Sequence, residues 1–298
     1  MTISPVSTIH TALDAAGLDV EATSLHIAAA LDEDLAWGPD ATTLATIGAD
    51  VTGTAEIVAR EPGCLAGVPV AALALQITAE RHGVDLDIEI LREDGATVAA
   101  GDPILRATGP VRTLLTAERT SLNYVSQLSG VATATHHWAK ALEGTGTAVR
   151  DTRKTVPGLR VLQKYAVRCG GGTNHRMGLG DSALIKDNHI LATGSLAAAF
   201  RAVREQFPVL PVEVECDTLE QVAEAVDVGA ELILLDNMSP DIAKAAVEIC
   251  HPAGVRTEAS GGITFDNVAA YRDTGVDYIA VGALTHSNRV LDLGFDLA

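Results

Sequence analysis

The sequence predicts an α/β protein of two unequal domains, a small α+β domain followed by an incomplete β/α barrel. The chain has 298 residues, and single hydrophobic cores rarely grow beyond about 250 to 300 residues. Apolar residues make up 47% and charged residues 20% of the chain, which is typical of a globular protein. Beyond residue 147, short apolar runs alternate with helical segments, and this alternation is the pattern of a parallel β/α architecture.

The first domain is predicted for residues 1–115. Residues 1 to about 50 show helical spacing of apolar residues and then a turn-rich segment, WGPDATT. Between about 51 and 110 the apolar period shortens to that of strands, with one Ala/Leu-rich helix near 69–82. This pattern indicates a small domain in which helices pack on a sheet.

Residues 113–142 are predicted to form one or two helices. Arg119 lies four residues after Leu115 and three residues before Leu122, so the three side chains share one helical face. An arginine on an apolar stripe needs an anionic partner, because an unpaired buried charge is costly.

The second domain, predicted for residues 116–285, contains six strands: TAVRDT, SALIKD, LPVEVEC, ELILLD, VRTEAS and DYIAVGA. Four of them end near Glu215, Asp236, Ser260 and Gly282, at separations of 21, 24 and 22 positions. These separations suit one strand and one helix per repeat. A complete eight-unit barrel usually needs at least ~200 residues, so we expect an incomplete or distorted barrel.

Charge and composition exclude several classes of protein. The formal net charge is −18, whereas a binder of nucleic acid needs a basic face. No apolar run reaches the ~18 residues of a membrane span, and the N-terminus lacks a signal-peptide pattern. The four cysteines form no CxxC pair, so no zinc site or disulfide framework is indicated. We expect a cytoplasmic protein without a nucleic acid or membrane partner.

Basic residues concentrate between positions 150 and 189 of this acidic chain. The stretch holds eight Lys and Arg against three Asp and no Glu. Because arginine binds carboxylate or phosphate through two parallel hydrogen bonds, the stretch predicts a multiply anionic substrate. Three of its residues, Arg160, Lys164 and Arg168, have the four-residue spacing of an exposed helix face, and for them we expect that structural role.

Other basic residues of this stretch are better placed for function. Arg153 and Lys154 follow the first barrel strand closely, and barrel enzymes place their sites at the carboxyl ends of strands. His175 and Arg176 begin the Gly-containing segment HRMGLGD, and Lys186 follows the strand SALI. We expect these last three donors to converge if the loop folds over the strand.

Glu215 and Asp236 end successive strands, so both carboxylates should reach the same barrel mouth. There they could hold magnesium or face a developing cation, although pairing with nearby lysines is an equally good interpretation. Small residues follow the next two strands, where backbone N–H groups can approach a phosphate: Ser260, Gly261, Gly262 and Gly282.

Six segments carry a family resemblance: AERTSLNYVSQLSGVAT, DTRKTVPGLRVLQKYAVRCGGGTNHRMGLGDSALIKDNHI, VEVEC, LILLDN, EASGGI and DYIAVGALTHS. Together they closely resemble the quinolinate phosphoribosyltransferases, a type II phosphoribosyltransferase family also called carboxylating nicotinate-nucleotide pyrophosphorylases. The order DTRKT, NHR, LIKDNH is far more specific than a glycine loop. The resemblance implies an N-terminal open-faced sandwich, joined by the C-terminal tail 286–298, and a barrel-like phosphoribosyltransferase domain.

The resemblance also implies roles for individual residues. The quinolinate carboxylates would be bound by Arg119, Arg153, His175, Arg176 and Lys186, with Arg119 supplied by the neighbouring subunit of a homodimer. The catalytic residues would be Lys154, Glu215 and Asp236, with the two carboxylates serving the ribose and Mg²⁺. The 5-phosphate would be bound by Ser260, Gly261, Gly262 and Gly282.

The implied reaction transfers phosphoribosyl from phosphoribosyl pyrophosphate to quinolinate, with release of carbon dioxide. Its products are nicotinate mononucleotide and pyrophosphate, in de novo NAD biosynthesis. The implied assembly is a homodimer with a shared active site, and assembly into a hexamer is left open.

Three other functions fit parts of this pattern. A paralogue that uses nicotinate, or the molybdenum-associated relative, could retain the barrel and the phosphate loop. A Schiff-base aldolase could use Lys186 as its reactive amine. A protein that only senses an anionic metabolite would keep the basic residues without needing Glu215 or Asp236. The complete set of Arg, His and Lys residues favours an enzyme acting on a dicarboxylate.

Overall fold

The computed structural model describes residues 5–297. Its helices are α1 (Pro5–Ala15), α2 (Val20–Asp34), α3 (Ala41–Thr46), α4 (Val68–His82), α5 (Val111–Ala141), α6 (Arg160–Cys169), α7 (Asp187–Thr193), α8 (Leu196–Gln206), α9 (Leu219–Asp227), α10 (Pro240–Cys250) and α11 (Ala283–His286). Its strands are β1 (Thr52–Ala59), β2 (Gly63–Cys64), β3 (Asp87–Ile90), β4 (Thr97–Val98), β5 (Pro103–Pro110), β6 (Ala148–Arg150), β7 (Ala183–Ile185), β8 (Val212–Cys216), β9 (Leu232–Asp236), β10 (Arg256–Ser260), β11 (Tyr278–Ala280) and β12 (Leu293–Leu297). Short 3₁₀ turns span His251–Ala253 and Val268–Tyr271.

The chain forms two compact units, one with an antiparallel sheet and one with a parallel sheet, as the fold-class prediction requires. The first unit contains the chain up to residue 134, residues 161–171 and the segment from 288. The second contains residues 135–160 and 172–287. The domain boundary that we predicted after residue 115 falls inside α5, and most of α6 belongs to the first unit.

The main sheet of the first unit has the strand order β12-β1-β5-β3. Every neighbouring pair in it is antiparallel. Ala55 and Ile57 of β1 are fully buried, because alternate residues of a strand share one face of the sheet. The apolar helix α4 packs against β3 and β5. The C-terminal strand β12 pairs with β1, which is where the resemblance placed the tail.

A buried carboxylate caps the amino terminus of α4. The residue before this helix is Gly67, with a left-handed φ of 86° and no side chain to accept a hydrogen bond. Asp94 instead accepts the backbone N–H groups of Gly67 and Val68, at 2.8 and 2.9 Å, and the Tyr165 hydroxyl at 2.7 Å. Burial raises the pKa of Asp94, against the opposing effect of these hydrogen bonds. This carboxylate links α4 to α6 within the first unit.

The six strands of the second unit form one parallel sheet in the order β6-β11-β10-β9-β8-β7. The first strand, β6, therefore lies beside the last, β11, which is the neighbour relation of a sheet that curls into a barrel. Within residues 5–297, β6 and β7 do not pair, and a single parallel bridge joins Arg150 to Thr173. The predicted incomplete barrel of six strands is confirmed.

Amphipathic helices cover the outside of this barrel. Val212, Val214 and Cys216 of β8 are buried, and α9 packs against this strand. Helices α8, α9 and α10 each begin after a hydroxyl side chain that accepts a backbone N–H: Ser195, Thr218 and Ser239. No helix within residues 5–297 combines the length and the apolar character needed to cross a membrane.

Candidate active site

The predicted site residues of the second unit follow or end the six parallel strands. Because parallel strands end at the same edge of a sheet, these residues gather at the carboxyl mouth of the barrel. They are, in chain order, Arg153 and Lys154 after β6, Lys186 after β7, Glu215 near the end of β8, Asp236 at the end of β9, Ser260 at the end of β10 and Gly282 after β11.

Opposite charges pair at the mouth. The Lys186 ammonium donates a hydrogen bond to Oε2 of Glu215, and the side chains are 43% and 15% exposed. The Lys186 amine is therefore occupied by a protein carboxylate in this structure. Asp236 accepts a hydrogen bond from the Asn237 amide at 2.7 Å.

Two arginines are incompletely paired, Arg153 after β6 and Arg176 in the segment before β7. The buried Nε atoms of Arg153 and Arg176 have no hydrogen-bond partner within the described part of the chain. Arg176 donates one bond, from its guanidinium to the Ser182 carbonyl at 2.9 Å. Burial, followed by the charge of Arg153, lowers the pKa of Arg176. Two guanidinium groups close enough to repel each other are stabilised by an anion placed between them.

The turn after β10 is built for close approach of backbone groups. Gly261 and Gly262 both have left-handed φ values, 90° and 61°, which glycine adopts at little cost. A Cβ atom on Gly261 would lie 2.2 Å from Oδ1 of Asn237, so no larger residue fits there. Consecutive glycines at a strand end expose backbone N–H groups, and such a concave turn binds phosphate oxygens.

A histidine that was not predicted from the sequence, His286, lies beside Gly282, the small residue after β11. A Cβ atom on Gly282 would lie 3.1 Å from Nε2 of His286 and 3.1 Å from Cδ of Lys154. The Thr285 hydroxyl also donates to the Lys154 carbonyl at 2.8 Å. Gly282, Lys154 and His286 thus share one corner of the mouth. The available signal was the segment THS, which follows a few residues after the last barrel strand.

His175 points into the barrel interior. Its side chain is 7% exposed, and Nε2 lies 3.0 Å from Oε2 of Glu213 and 3.5 Å from Oε1 of Glu258. Arg150 completes the group, since its guanidinium donates to Oε2 of Glu258 at 2.6 Å. In this structure the ring nitrogens of His175 therefore face protein groups. A direct contact between His175 and a substrate carboxylate stays a prediction.

The group formed by Arg150, His175, Glu213 and Glu258, here termed the buried ionic layer, has an unusual charge state. Burial and then the charge of Glu213 raise the pKa of Glu258 to about 7, against the lowering effect of His175 and Arg150. Glu258 therefore changes its protonation near neutral pH. Neither Glu213 nor Glu258 was predicted from the sequence, although each lies two residues before a predicted site residue, Glu215 or Ser260, and hence on the same face of its strand.

The sequence also led to predictions for Arg119 on α5 and for three basic residues on α6. Arg119 lies on the first-unit part of α5, with its side chain 64% exposed and the Glu118 carboxylate 3.9 Å away. On α6, Arg168 is exposed but Lys164 is 0% exposed. The predicted exposed face of Arg160, Lys164 and Arg168 is thus wrong at Lys164. The reason is that all residues from 162 to 167 of this helix are buried.

An open parallel barrel with cations, carboxylates and glycine turns at its carboxyl mouth defines an enzyme class that binds phosphorylated and anionic substrates. Comparison with known proteins identifies the family. The model of the N-terminal domain of quinolinate phosphoribosyl transferase matches residues 40–129, and that of the C-terminal domain matches residues 131–296. The chain belongs to the quinolinate phosphoribosyltransferase family.

Individual relatives cover most of the chain. A carboxylating nicotinate-nucleotide pyrophosphorylase of Mycobacterium leprae is 54% identical over 272 residues, which are 90% of this chain and 94% of the relative. A probable enzyme of the same name from Bacillus subtilis is 42% identical over 82% of this chain and 83% of its own. The solved nicotinate-nucleotide pyrophosphorylase from Francisella tularensis superimposes with a TM-score of 0.89 at 37% identity, over 94% and 98% of the two chains.

Proposed function

We propose that this protein transfers the phosphoribosyl group of phosphoribosyl pyrophosphate to quinolinate and releases carbon dioxide, forming nicotinate mononucleotide and pyrophosphate. The observation that carries the proposal is the mouth of the barrel. Cations, carboxylates and glycine turns there come from all six parallel strands, in the order that the family motifs require. This activity belongs to the biosynthesis of NAD.

The cationic side of the mouth suits a dicarboxylate. Arg153, Arg176 and Lys186 can neutralise two carboxylates, and the unpartnered Nε atoms of the two arginines provide donors for parallel hydrogen bonds. Nicotinate has one carboxylate and would leave part of this charge unpaired. Charge matching therefore favours quinolinate over nicotinate, because an unpaired cation in a partly buried site is costly.

The ribose and phosphate groups fit the remaining parts of the mouth. The backbone N–H groups of Gly261 and Gly262, together with Lys154, would bind the 5-phosphate or the pyrophosphate. Glu215 and Asp236 would face C1 of the ribose, where positive charge develops as the bond to pyrophosphate breaks. His286, beside Gly282 and Lys154, adds a further donor at the same corner.

The oxygen ligands at the mouth fit magnesium bound together with a substrate. Mg²⁺ usually takes one or two protein carboxylates and completes its coordination with phosphates and water. Glu215 and Asp236 offer that number, and among the described residues they do not belong to a closed protein cage of three or more ligands. Glu215 and Asp236 would hold the ion, which when bound neutralises charge on the departing pyrophosphate.

The chemical steps follow from this placement. The quinolinate nitrogen forms a bond to C1 as the C1–oxygen bond to pyrophosphate breaks, and the resulting pyridinium ring carries a positive charge. When the 2-carboxylate departs as carbon dioxide, the electron pair of its bond stays on C2, where the adjacent positive ring nitrogen stabilises it, and C2 then takes up a proton. Arg153, Arg176 and Lys186 would hold the ring in the geometry of attack, and such positioning supplies much of the rate.

The first test measures turnover of quinolinate with phosphoribosyl pyrophosphate and magnesium, using nicotinate as the alternative substrate. We expect nicotinate mononucleotide and one equivalent of carbon dioxide from quinolinate, and no product from nicotinate. Product from nicotinate would support a paralogous function. If neither substrate is turned over, the proposal is wrong, and trapping of Lys186 with borohydride and a carbonyl compound would then test the aldolase alternative.

A homodimer that shares its active sites is the second part of the proposal. Arg119 is largely exposed, and the carboxylate of Glu118 lies 3.9 Å from its guanidinium. The guanidinium is therefore available to an anion held by another copy. The same unit exposes several large apolar side chains, among them Trp37 at 98% and Leu44 at 46%. Apolar side chains at such exposure are suited to an interface with a second copy. Light scattering would distinguish a dimer from a hexamer.

Mixing of two inactive variants tests the shared site. Arg119→Ala and Arg153→Ala should each be nearly inactive as homodimers. In a mixed dimer with the proposed exchange, one of the two sites keeps both arginines, so random mixing should restore about a quarter of wild-type activity. Native mass spectrometry would verify that the subunits have exchanged. Mixed dimers without any recovered activity would show that Arg119 acts within its own chain.

A further inference from the structure

The buried ionic layer has the geometry of one side-chain layer of a parallel barrel. In such barrels alternate strands contribute the side chains of a layer. Arg150, Glu258 and Glu213 come from β6, β10 and β8, which are every second strand of the order β6-β11-β10-β9-β8-β7. His175 enters the same layer from the loop that follows the bridge at Thr173.

This layer lies directly beneath the mouth. Residues two positions apart on a strand share a face, so Glu213 lies one step below Glu215, and Glu258 one step below Ser260. Glu213 and Glu258 are 2% and 0% exposed. The layer is therefore the floor of the proposed site, although its glutamates do not reach the substrates.

Hydrogen bonding determines which nitrogen of His175 carries the proton. The backbone N–H of Arg176 donates to Nδ1 of His175 at 2.7 Å, so Nδ1 must be unprotonated. The proton of the neutral ring consequently lies on Nε2, the atom that faces Glu213 at 3.0 Å and Glu258 at 3.5 Å. Glu213 is thus placed to accept this N–H group, whereas Oε1 of Glu258 has no hydrogen-bond partner among the described residues.

The same geometry argues against a metal ion in this layer. Ligand atoms of His175, Glu213 and Glu258 all lie within 4.8 Å of one another, and one oxygen of each glutamate lacks a hydrogen-bond partner among the described residues. A metal at Nε2 would, however, require that atom to be unprotonated, whereas metal-bound histidines donate a hydrogen bond from their other nitrogen. Here the other nitrogen accepts one, and Arg150 already neutralises Glu258.

We propose that Glu213 is a positioning residue that holds the His175 imidazole in its Nε2–H form and thereby fixes the segment that presents Arg176 to the quinolinate site. The connection is short. Nδ1 of the His175 ring accepts the backbone N–H of Arg176. The backbone N–H of His175 donates to Asp151 at 2.9 Å, and Nε of Arg150 donates to the Asn174 carbonyl at 3.2 Å. Each residue from 174 to 176 is thus tied to the layer. This inference rests on the proposed function, since it assigns Arg176 to quinolinate.

Replacement of Glu213 by leucine tests the inference through a split between the two substrates. Glu213→Leu removes the acceptor of Nε2–H, and we expect the KM for quinolinate to rise about 10-fold or more. The KM for phosphoribosyl pyrophosphate should change less than about threefold, because its ligands lie at other strand ends. Glu213→Gln keeps an acceptor oxygen, so it should restore the quinolinate KM to near the wild-type value.

Thr257→Val is the matched control. Thr257 is 0% exposed on the same strand as Glu258, and its hydroxyl contacts Asp277 at 3.2 Å. This variant loses a buried polar contact outside the layer, so both KM values should stay unchanged. If Glu213→Leu raises both KM values equally, or no more than Thr257→Val does, the positioning role is wrong.

The protonation state of His175 provides a readout that does not depend on activity. Long-range ¹H–¹⁵N spectra of the wild-type protein with labelled histidine should show the Nε2–H tautomer of His175 at neutral pH. In Glu213→Gln this tautomer should persist, and in Glu213→Leu it should be lost or mixed. An Nδ1–H tautomer in the wild type, or one tightly bound metal per chain by elemental analysis, would overturn the inference. Failure of the wild type to use quinolinate would instead reject the proposed function.

Discussion

Replacement of Arg153 by alanine is expected to weaken quinolinate binding by about 2 to 4 kcal/mol, roughly 30- to 1,000-fold in Kd. The reason is that the guanidinium lies after β6 at the mouth with its Nε atom buried and unpartnered within the described residues. Its loss would leave one substrate carboxylate without a matching pair of donors. Calorimetric titration of quinolinate into the free protein measures the effect.

Two further variants make this experiment specific. Arg153→Lys keeps the charge but not the planar fork, so it should recover only part of the affinity. Arg201→Ala removes an exposed arginine from α8 in the same unit, and its quinolinate affinity should equal that of the wild type. The thermal unfolding of all three variants should resemble that of the wild type. Unchanged binding in Arg153→Ala would reject the assigned role.

Replacement of Arg150 by leucine should destabilise the protein by about 3 to 5 kcal/mol at pH 8, because it leaves two buried carboxylates without their cation. The Arg150 side chain is 16% exposed and pairs with the fully buried Glu258. Its guanidinium also lies 4.6 Å from the centre of the Tyr278 ring. Urea denaturation measures the loss. Arg204→Leu removes a more exposed pair with Glu231, and should cost less than about 1 kcal/mol.

The pH dependence of this loss follows from Glu258. Its pKa is raised to about 7 in the folded protein, from an ordinary value of 4.5. The favourable contribution of the protonated group is therefore complete below pH 4.5 and is lost as the pH rises through about 7. Removal of Arg150 raises this pKa further, so Arg150→Leu should be close to wild-type stability at pH 5 and show its full loss only above pH 7. A loss that is independent of pH would contradict the assignment of Glu258.

Much of the fold could be predicted because local patterns report it. The six short apolar runs beyond residue 147 correspond to β6–β11, and their regular spacing indicated one helix per strand. The sequence did not show which residues belong to each of the two units. No local pattern shows that residues 161–171 belong with the first unit or that Lys164 is fully buried, since spacing alone cannot distinguish an exposed face from one that another segment covers.

The candidate site likewise contains residues that could be predicted from the sequence and residues that could not. Residues that end strands were predictable, because the carboxyl ends of parallel strands must meet. Lys186, Glu215 and Asp236 therefore appear where the sequence placed them. The ionic layer below them was not predicted, because acidic residues inside a barrel contradict the usual apolar pattern. Only the pairing of strands shows that Glu213, Glu258 and Arg150 face the same interior.

The sequence by itself determined the fold class, the family and the residues at the strand ends, because each depends on the order and spacing of residues along the chain. The tertiary structure alone decided which way the His175 ring points, that burial raises the pKa of Glu258, and that His286 stands beside Lys154. These properties depend on burial and on neighbours from distant strands. A one-dimensional pattern contains neither quantity.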